Sequence, residues 1–309
     1  ILTQQADRHS ILEEALEKIA LGMKIIIREG SAARNFEALH PLINKFPDQI
    51  MFCSDDKHPD ELVNGHINLL IKRALKLGYS IFDLIKIACI NPVLHYNLPV
   101  GILREGDPAD FIIINNINDF DVIETYINGN QVALNGLSFI PEVSESIINN
   151  FSIKPLREDD FRTASLPGLK RVIVALDGEL ITKEISEFIP CGDGILHSLI
   201  EKDILLIAVI NRYKAERISM GLIKNFGLKQ GAIASSVAHD SHNIIAIGAT
   251  PKDLQLAVNA IIEHRGGVSV HNSELNETRV LPLPIAGLMS NLSADEVART
   301  YSQLDASAK

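Results

Sequence analysis

Tryptophan is absent from the 309 residues, and aromatic side chains make up only 5% of them. A surface that stacks successive nucleobases has little to be built from. Cysteine is scarce: Cys53, Cys89 and Cys191 lie far apart, without metal-type spacing or the density of a disulfide scaffold. That usage suits a reducing, cytoplasmic compartment. No apolar run reaches the length needed to span a bilayer. Positive charge is in deficit, with 29 Lys and Arg against 39 Asp and Glu and a net charge of -10. This argues against nucleic-acid and anionic-membrane partners. The glycine-containing stretches lack Walker and dinucleotide spacing, and no His-x-His pair precedes Asp55. The chain opens on Ile1-Leu2-Thr3 without an initiator Met or a signal-peptide pattern, and so reads as starting inside an element, as an N-terminally incomplete sequence does.

What is present is apolar and patterned. Hydrophobic residues make up 46% of the chain and mean hydropathy is positive, enough for buried cores in two or three domains. Residues 11–21 carry a helical stripe of Leu12, Leu16, Ile19 and Ala20, closed by Gly22. A buried strand, Lys24 to Arg28, ends at Glu29-Gly30-Ser31, where Ser31 is placed to cap a helix reaching His40 before Pro41. A second strand, Gln49 to Cys53, stops at Asp55-Asp56, and the pattern predicts one helix from Asp60 to Leu77. Another starts at Ser80 and is expected to stop near Asn91-Pro92. These are two βα units of a parallel α/β fold, too few to close a barrel.

From Val100 the pattern changes to short alternating strands around Asn128-Gly129, a small antiparallel unit. Residues 138–167 show no periodicity and are expected to cross between domains. Beyond Lys170, strands around an Asp177-Gly178 turn, strands at 203–210, 231–238, 244–248 and 268–270, and helices starting at Thr250-Pro251 and Ser293 describe an α+β region. The domain boundaries read as 1–97, 98–150 and 151–309.

Two clusters carry chemistry. Asp55-Asp56 with His58 lies at the carboxyl end of a buried strand, where α/β folds concentrate function. The alternative is a solvated turn that caps the next helix. His239-Asp240-Ser241-His242 packs two imidazoles, a carboxylate and a hydroxyl between apolar runs. It reads as a ligand or substrate contact, or else as a loop bonding its own backbone. Ser, His and Asp in sequence do not make a nucleophilic triad, which needs spatial geometry. Arg28, Glu29 and Ser31 lie at a strand end equivalent to that of Asp55 and could line the same mouth. His66 and His95 read as surface or packing residues, His264 as a complement to a helix C-terminus, and Asp107 and Asp110 as turn and strand-start residues.

Taken together, several stretches resemble one family. Ile27-Arg28-Glu29-Gly30-Ser31-Ala32-Ala33-Arg34-Asn35, Phe52-Cys53-Ser54-Asp55-Asp56-Lys57-His58-Pro59 and Gly65-His66-Ile67 resemble bacterial adenine deaminases of the amidohydrolase superfamily. Gly106-Asp107-Pro108-Ala109-Asp110-Phe111 resembles the small β domain that flanks amidohydrolase barrels. Val237 to Asn243 and Leu281 to Ser290 resemble that family's own C-terminal domain. The resemblance implies that the two βα units are the last two of a (β/α)8 barrel, followed by a small β domain and a C-terminal α+β domain. It implies hydrolytic deamination of adenine to hypoxanthine and ammonia, in purine salvage or adenine catabolism, by a water activated on a divalent metal, manganese or iron. Asp55 then matches the metal-ligating carboxylate after the eighth strand, which can also take the water's proton, and Asp56 sits beside it. Arg28, Glu29, Ser31, His58, His239, Asp240 and His242 are the implied substrate-side residues, with 239–243 approaching the mouth as a lid. The partner is a small purine, and the protein a cytoplasmic homo-oligomer.

The chain also departs from the family. The His-x-His pair is absent, as is the Asp-His-Glu motif expected before Glu13, where Thr3-Gln4-Gln5-Ala6-Asp7-Arg8-His9 stands instead. The 309-residue chain alone is therefore expected to be inactive. Two other readings remain open: a dihydropyrimidinase-like cyclic amide hydrolase, which fits the barrel end but not His239 to Asn243, and a non-catalytic interaction module.

Overall fold

The protein is described by a computed structural model covering residues 8–31, 33–141, 143, 146–177, 181–214, 216–238 and 241–309. It forms two compact units, Ile1–Ser144 and Glu145–Lys309. No helix among the described residues is long and apolar enough to cross a membrane.

The first unit opens with α1 (Arg8–Ala20), β1 (Ile25–Arg28), α2 (Phe36–Leu39) and β2 (Ile50–Cys53). In α1 Ile19 is buried and Leu12 packs on the core as expected, whereas Leu16 and Ala20 are exposed and Ala15 is the fully buried position. The side chain of Ala15 is small enough to sit fully buried in the same cluster as Phe36 and Leu39 of α2. Strands β1 and β2 pair in parallel from Ile25↔Ile50 to Arg28↔Cys53, so both carboxyl ends finish side by side. Ile25, Ile27, Ile50 and Phe52 carry the core between α1, α2 and the helices that follow.

Three expectations fail here. Ser31 does not cap a helix: α2 begins only after Asn35, whose carboxamide is instead spent on β1. The helix expected over residues 60–77 is two, α3 (Pro59–Leu62) and α4 (Ile67–Lys76). Gly65, at φ +146, breaks it; a Cβ there would lie 2.7 Å from Leu69 Cγ. Pro92 does not stop the next helix. From α5 (Ile81–Ile85) the chain passes through a π turn (Lys86–Ile90) into α6 (Asn91–Tyr96). The wider π turn removes the carbonyl clash that Pro normally makes in an α-helix. Asn91 is buried, and its Nδ2 donates to the carbonyls of Pro47 and Ile50, both at 2.7 Å. Asn91→Ala should therefore lower stability by about 1–3 kcal/mol by leaving these acceptors unmet, read as a lower urea midpoint at unchanged slope.

The unit ends in an antiparallel sheet of β3 (Phe111–Ile114), β4 (Val122–Ile127), β5 (Asn130–Leu134) and β6 (Leu137–Ser138), in that order. The Asn128-Gly129 turn joins β4 to β5 as expected. Asp110 accepts from the backbone N–H groups of Gly101 and Asn128, and Asp107 from those of Ile102 and Arg104. Both act as turn-pinning carboxylates.

The second unit is a mixed eight-stranded sheet: β7 (Gly168–Ala175), β8 (Thr182–Ile189), β9 (Ile204–Ile210), β10 (Ser219–Lys224), β11 (Ala232–Ser235), β12 (Ile244–Gly248), β13 (Gly267–Asn272) and β14 (Glu277–Pro282), crossed by α7 (Pro251–Glu263) and ended by α8 (Ala294–Ala308). The spatial order is β14-β13-β11-β12-β9-β10-β7-β8; β7 and β10 are parallel and every other pair antiparallel. The β7–β8 turn at Gly178 lies outside the described residues. Strand β9 alternates faces. Ile204, Leu206, Ala208 and Ile210 pack in one cluster with Leu254, Ala257, Val258 and Ile261 of α7, and Leu205 packs on the other face with Ile223 and Ile247. Thr250 caps α7 by accepting from Asp253 N, with Pro251 at the first helical position, and Ser293 and Glu296 form a capping box on α8.

Candidate functional site

The carboxyl ends of β1 and β2 are stitched together by their loops. Glu29 N donates to Cys53 O at 3.2 Å, and Ser31 N to Asp56 O at 3.1 Å. Asn35 holds the end of β1, its Oδ1 accepting from Arg28 N at 2.8 Å and its own N–H donating to Arg28 O. This brings Arg28 and Asp55, 27 positions apart, into an ion pair of 3.1 Å between Nη1 and Oδ1, both half-buried. Asp55 is in the left-handed region at φ +51, and its N–H is turned onto Cys53 Sγ at 3.2 Å. Gly30 makes room for this turn: a Cβ there would lie 2.9 Å from Asp55 Cβ.

Around the pair, Ser31 Oγ donates to Glu61 Oε2 at 2.6 Å and accepts from His58 N at 2.8 Å. Glu29 is committed to structure, accepting from Phe36 N at 3.2 Å and Arg73 Nη1 at 2.7 Å. Asp56 is exposed beside Asp55, and its carbonyl takes the Ser31 bond. Of the residues singled out in the sequence, Arg28, Glu29, Ser31, Asp55, Asp56 and His58 thus come together in the first unit. His242 lies in the second unit, half-buried at φ +50, its N–H on Ala238 O. His239 and Asp240 lie outside the described residues.

Sequence reasoning missed two participants. His66 was read as a surface or packing side chain, yet its Nε2 lies 2.8 Å from Ser54 Oγ, next to Asp55. The signal was Gly65, which ends the helix and frees His66 to open the next. Lys57 was passed over between Asp56 and His58, but its charge is felt by both Glu61 and His66. The Ser31 hydroxyl, helped by Arg34, Lys57 and His58, holds the Glu61 carboxyl below its ordinary range against the opposing effect of burial.

Burial, then the Lys57 ammonium, pushes the His66 imidazole below its ordinary value of 6.5. The folded state therefore binds this proton less readily than the unfolded chain. The resulting stability is complete above pH 6.5 and is lost as pH falls toward the folded-state value. A ring-proton NMR titration should give a His66 midpoint below 6.5, and Lys57→Met should move that midpoint upward. An unchanged midpoint in the variant would rule out the Lys57 contribution.

The site is thus a parallel pair of strands whose carboxyl ends carry a cation-held carboxylate. Residues 1–132 match the amidohydrolase family. Residues 179–309 match the adenine deaminase C-terminal domain. The chain is 50% identical over 301 residues to an adenine deaminase of Borreliella burgdorferi, covering 95% of this chain and 54% of the relative. It is 48% identical over 294 residues to one of Salinibacter ruber, covering 95% and 53%. The chain spans about half the length of the curated relatives it matches. A β-aspartyl dipeptidase of Fervidobacterium islandicum AW-1 is 20% identical over 44% of this chain and 40% of its own, with a TM-score of 0.36, a likeness too low to bear on the fold.

The amidohydrolase match implies a divalent metal. Among the described residues no group of three or more His, Cys, Asp or Glu side chains is arranged to hold one. Asp55, already neutralised by Arg28, does not make a metal site by itself.

Proposed function

We propose that this chain supplies the Asp55 strand end and the C-terminal domain of an adenine deaminase, which converts adenine and water into hypoxanthine and ammonia. The observation that supports this most is the Arg28–Asp55 pair, placed by parallel pairing at the carboxyl ends of β1 and β2. A half-buried carboxylate there can accept a proton from water attacking C6 of the purine and return it to the departing amine. Arg28 holds that carboxylate in place, and the Gly30-Ser31 loop holds the Asp55-Asp56 turn in register. Asp56 and His58 flank the position a purine would take. Manganese or iron is the metal we assign to the complete enzyme, with Asp55 as one ligand. In that reading the 98–150 segment is the small β domain that follows the barrel, and the enzyme is a homo-oligomer.

The test is ammonia release from adenine against dihydrouracil, with manganese supplied, by this chain and by a full-length protein carrying it. Turnover of adenine alone by the full-length form, and none by the 309 residues, is the expected result. Turnover of dihydrouracil instead would overturn the assignment. Robust adenine turnover by the chain alone would show that the described residues and their neighbours complete a metal site without further sequence.

A further inference from the structure

Beside the Gly30-Ser31 loop lies a cavity of about 300 Å³, walled by Glu29, Arg34, Lys57, Glu61 and Arg73 over apolar residues of α4. Its lining carries three cationic side chains and two carboxylates. Glu29 spends both carboxylate oxygens on Phe36 N and Arg73. Glu61 spends both on Ser31 Oγ and Arg34 Nη2. Arg73 is held by Glu29 and Glu37 and stacks over the Phe36 ring, 4.3 Å from its centroid. Arg34 uses Nε on Gly30 O and Nη2 on Glu61. Lys57, half-buried, makes no hydrogen bond and no ion pair among the described residues. Both carboxylates of the lining are thus already engaged, Arg73 is also paired with Glu37 outside it, and Lys57 is the cation of the lining that has no hydrogen bond or ion pair among the described residues.

We propose that this cavity is an anion site that takes a phosphate group, either free or carried by a small phosphorylated molecule, with Lys57 as its receptor. Lysine binds phosphate as a point charge with three donors, and a partly desolvated ammonium gains more from such a partner than one in open water. Arg34 and Arg73 are fixed by their own ion pairs, so they need no reordering when an anion reaches Lys57. The apolar α4 side gives the rest of a phosphorylated molecule a surface to cover. Gly30 is shared: it lines the cavity, and its Cα abuts the Asp55 turn. An occupant would therefore sit beside Asp55 without replacing any group assigned to the deamination. Binding at Lys57 can be measured on this chain whether or not the deaminase reading holds.

The experiment is calorimetric titration of the 309-residue chain with inorganic phosphate and, separately, with adenosine monophosphate, at ionic strength held constant with sodium chloride. Lys57→Met, Lys57→Arg and the exposed Lys252→Met are run alongside. Saturable binding of either ligand, at least tenfold weaker in Lys57→Met and within about threefold of the parent in Lys57→Arg and Lys252→Met, is expected. Tighter binding of the nucleotide marks a phosphorylated metabolite as the source, and equal or weaker binding marks the free anion. Absence of saturable binding by both overturns the proposal, as does equal affinity in Lys57→Met. Lys57 makes no hydrogen bond or ion pair for the substitution to break, so Lys57→Met should fold; if it does not, loss of binding in a folded Lys57→Arg is the overturning result, because that variant keeps the charge.

Discussion

In a full-length protein carrying this chain, Asp55→Asn is expected to cut kcat/KM for adenine by about a thousandfold or more, the upper part of the range for loss of a general acid–base group. The substitution is chosen for its backbone. Asp55 sits at φ +51, a region that Asn tolerates and Ala does not, so Asn removes the charge and keeps the turn. Two losses combine. The carboxamide cannot accept a proton from water, and Arg28 is left with its Nη1 against a neutral group instead of a carboxylate 3.1 Å away. Far-UV circular dichroism should be unchanged, which separates the chemical loss from a folding defect. Asp56→Asn, altering an exposed side chain, should cost far less. Ammonia release is the readout. If Asp55→Asn retained turnover within about tenfold of the parent, Asp55 could not be the proton acceptor that the proposed reaction needs.

The parts of this site that were legible in the sequence are those set by strand chemistry. Ile25 to Arg28 and Ile50 to Cys53 are short apolar runs, each closed by charged or hydroxyl residues, and their parallel pairing puts Arg28 beside the Asp55 turn. What was not legible depends on partners far apart in the chain. Nothing near Ser31 says that its hydroxyl goes to Glu61, 30 residues on, and not to the first turn of a helix. Helical periodicity over residues 60–77 is real on either side of Gly65. The break is set by a close approach of that glycine's backbone to Leu69, which periodicity does not encode. The π turn before Asn91 is similar, since the residues Lys86 to Ile90 carry no signal for it, and it is fixed by Asn91 bonding two carbonyls of a preceding segment. The caps of α7 and α8 were readable because Thr250 with Asp253, and Ser293 with Glu296, are local.

The same contrast locates the largest stability effect expected in the second unit, at the exit from α7. The sequence Arg265-Gly266-Gly267 marks a helix end, and the structure shows why the middle position must lack a side chain. Gly266 N donates to Ile261 O at 3.0 Å and Arg265 N to Ile262 O at 3.1 Å, closing the helix with Arg265 left-handed at φ +56. Gly266 then turns at φ +134, and a Cβ on it would run into Gly287 Cα and lie 2.6 Å from Leu283 O. Both obstacles are backbone and cannot rotate away. The Gly266 carbonyl also accepts from Leu283 N at 3.0 Å, so moving this corner would disturb the path that carries the chain from β14 toward α8. Gly266→Ala combines overpacking with an unfavourable backbone angle and should cost about 3–5 kcal/mol. For a unit of this size that corresponds to a fall in Tm of roughly 10 °C, measurable by calorimetry. Ala at Gly192, where a Cβ would meet nothing within 4 Å and φ is unremarkable, should stay within about 1 kcal/mol of the parent. A Gly266→Ala protein as stable as Gly192→Ala would mean that the 283–287 segment does not close on the end of α7.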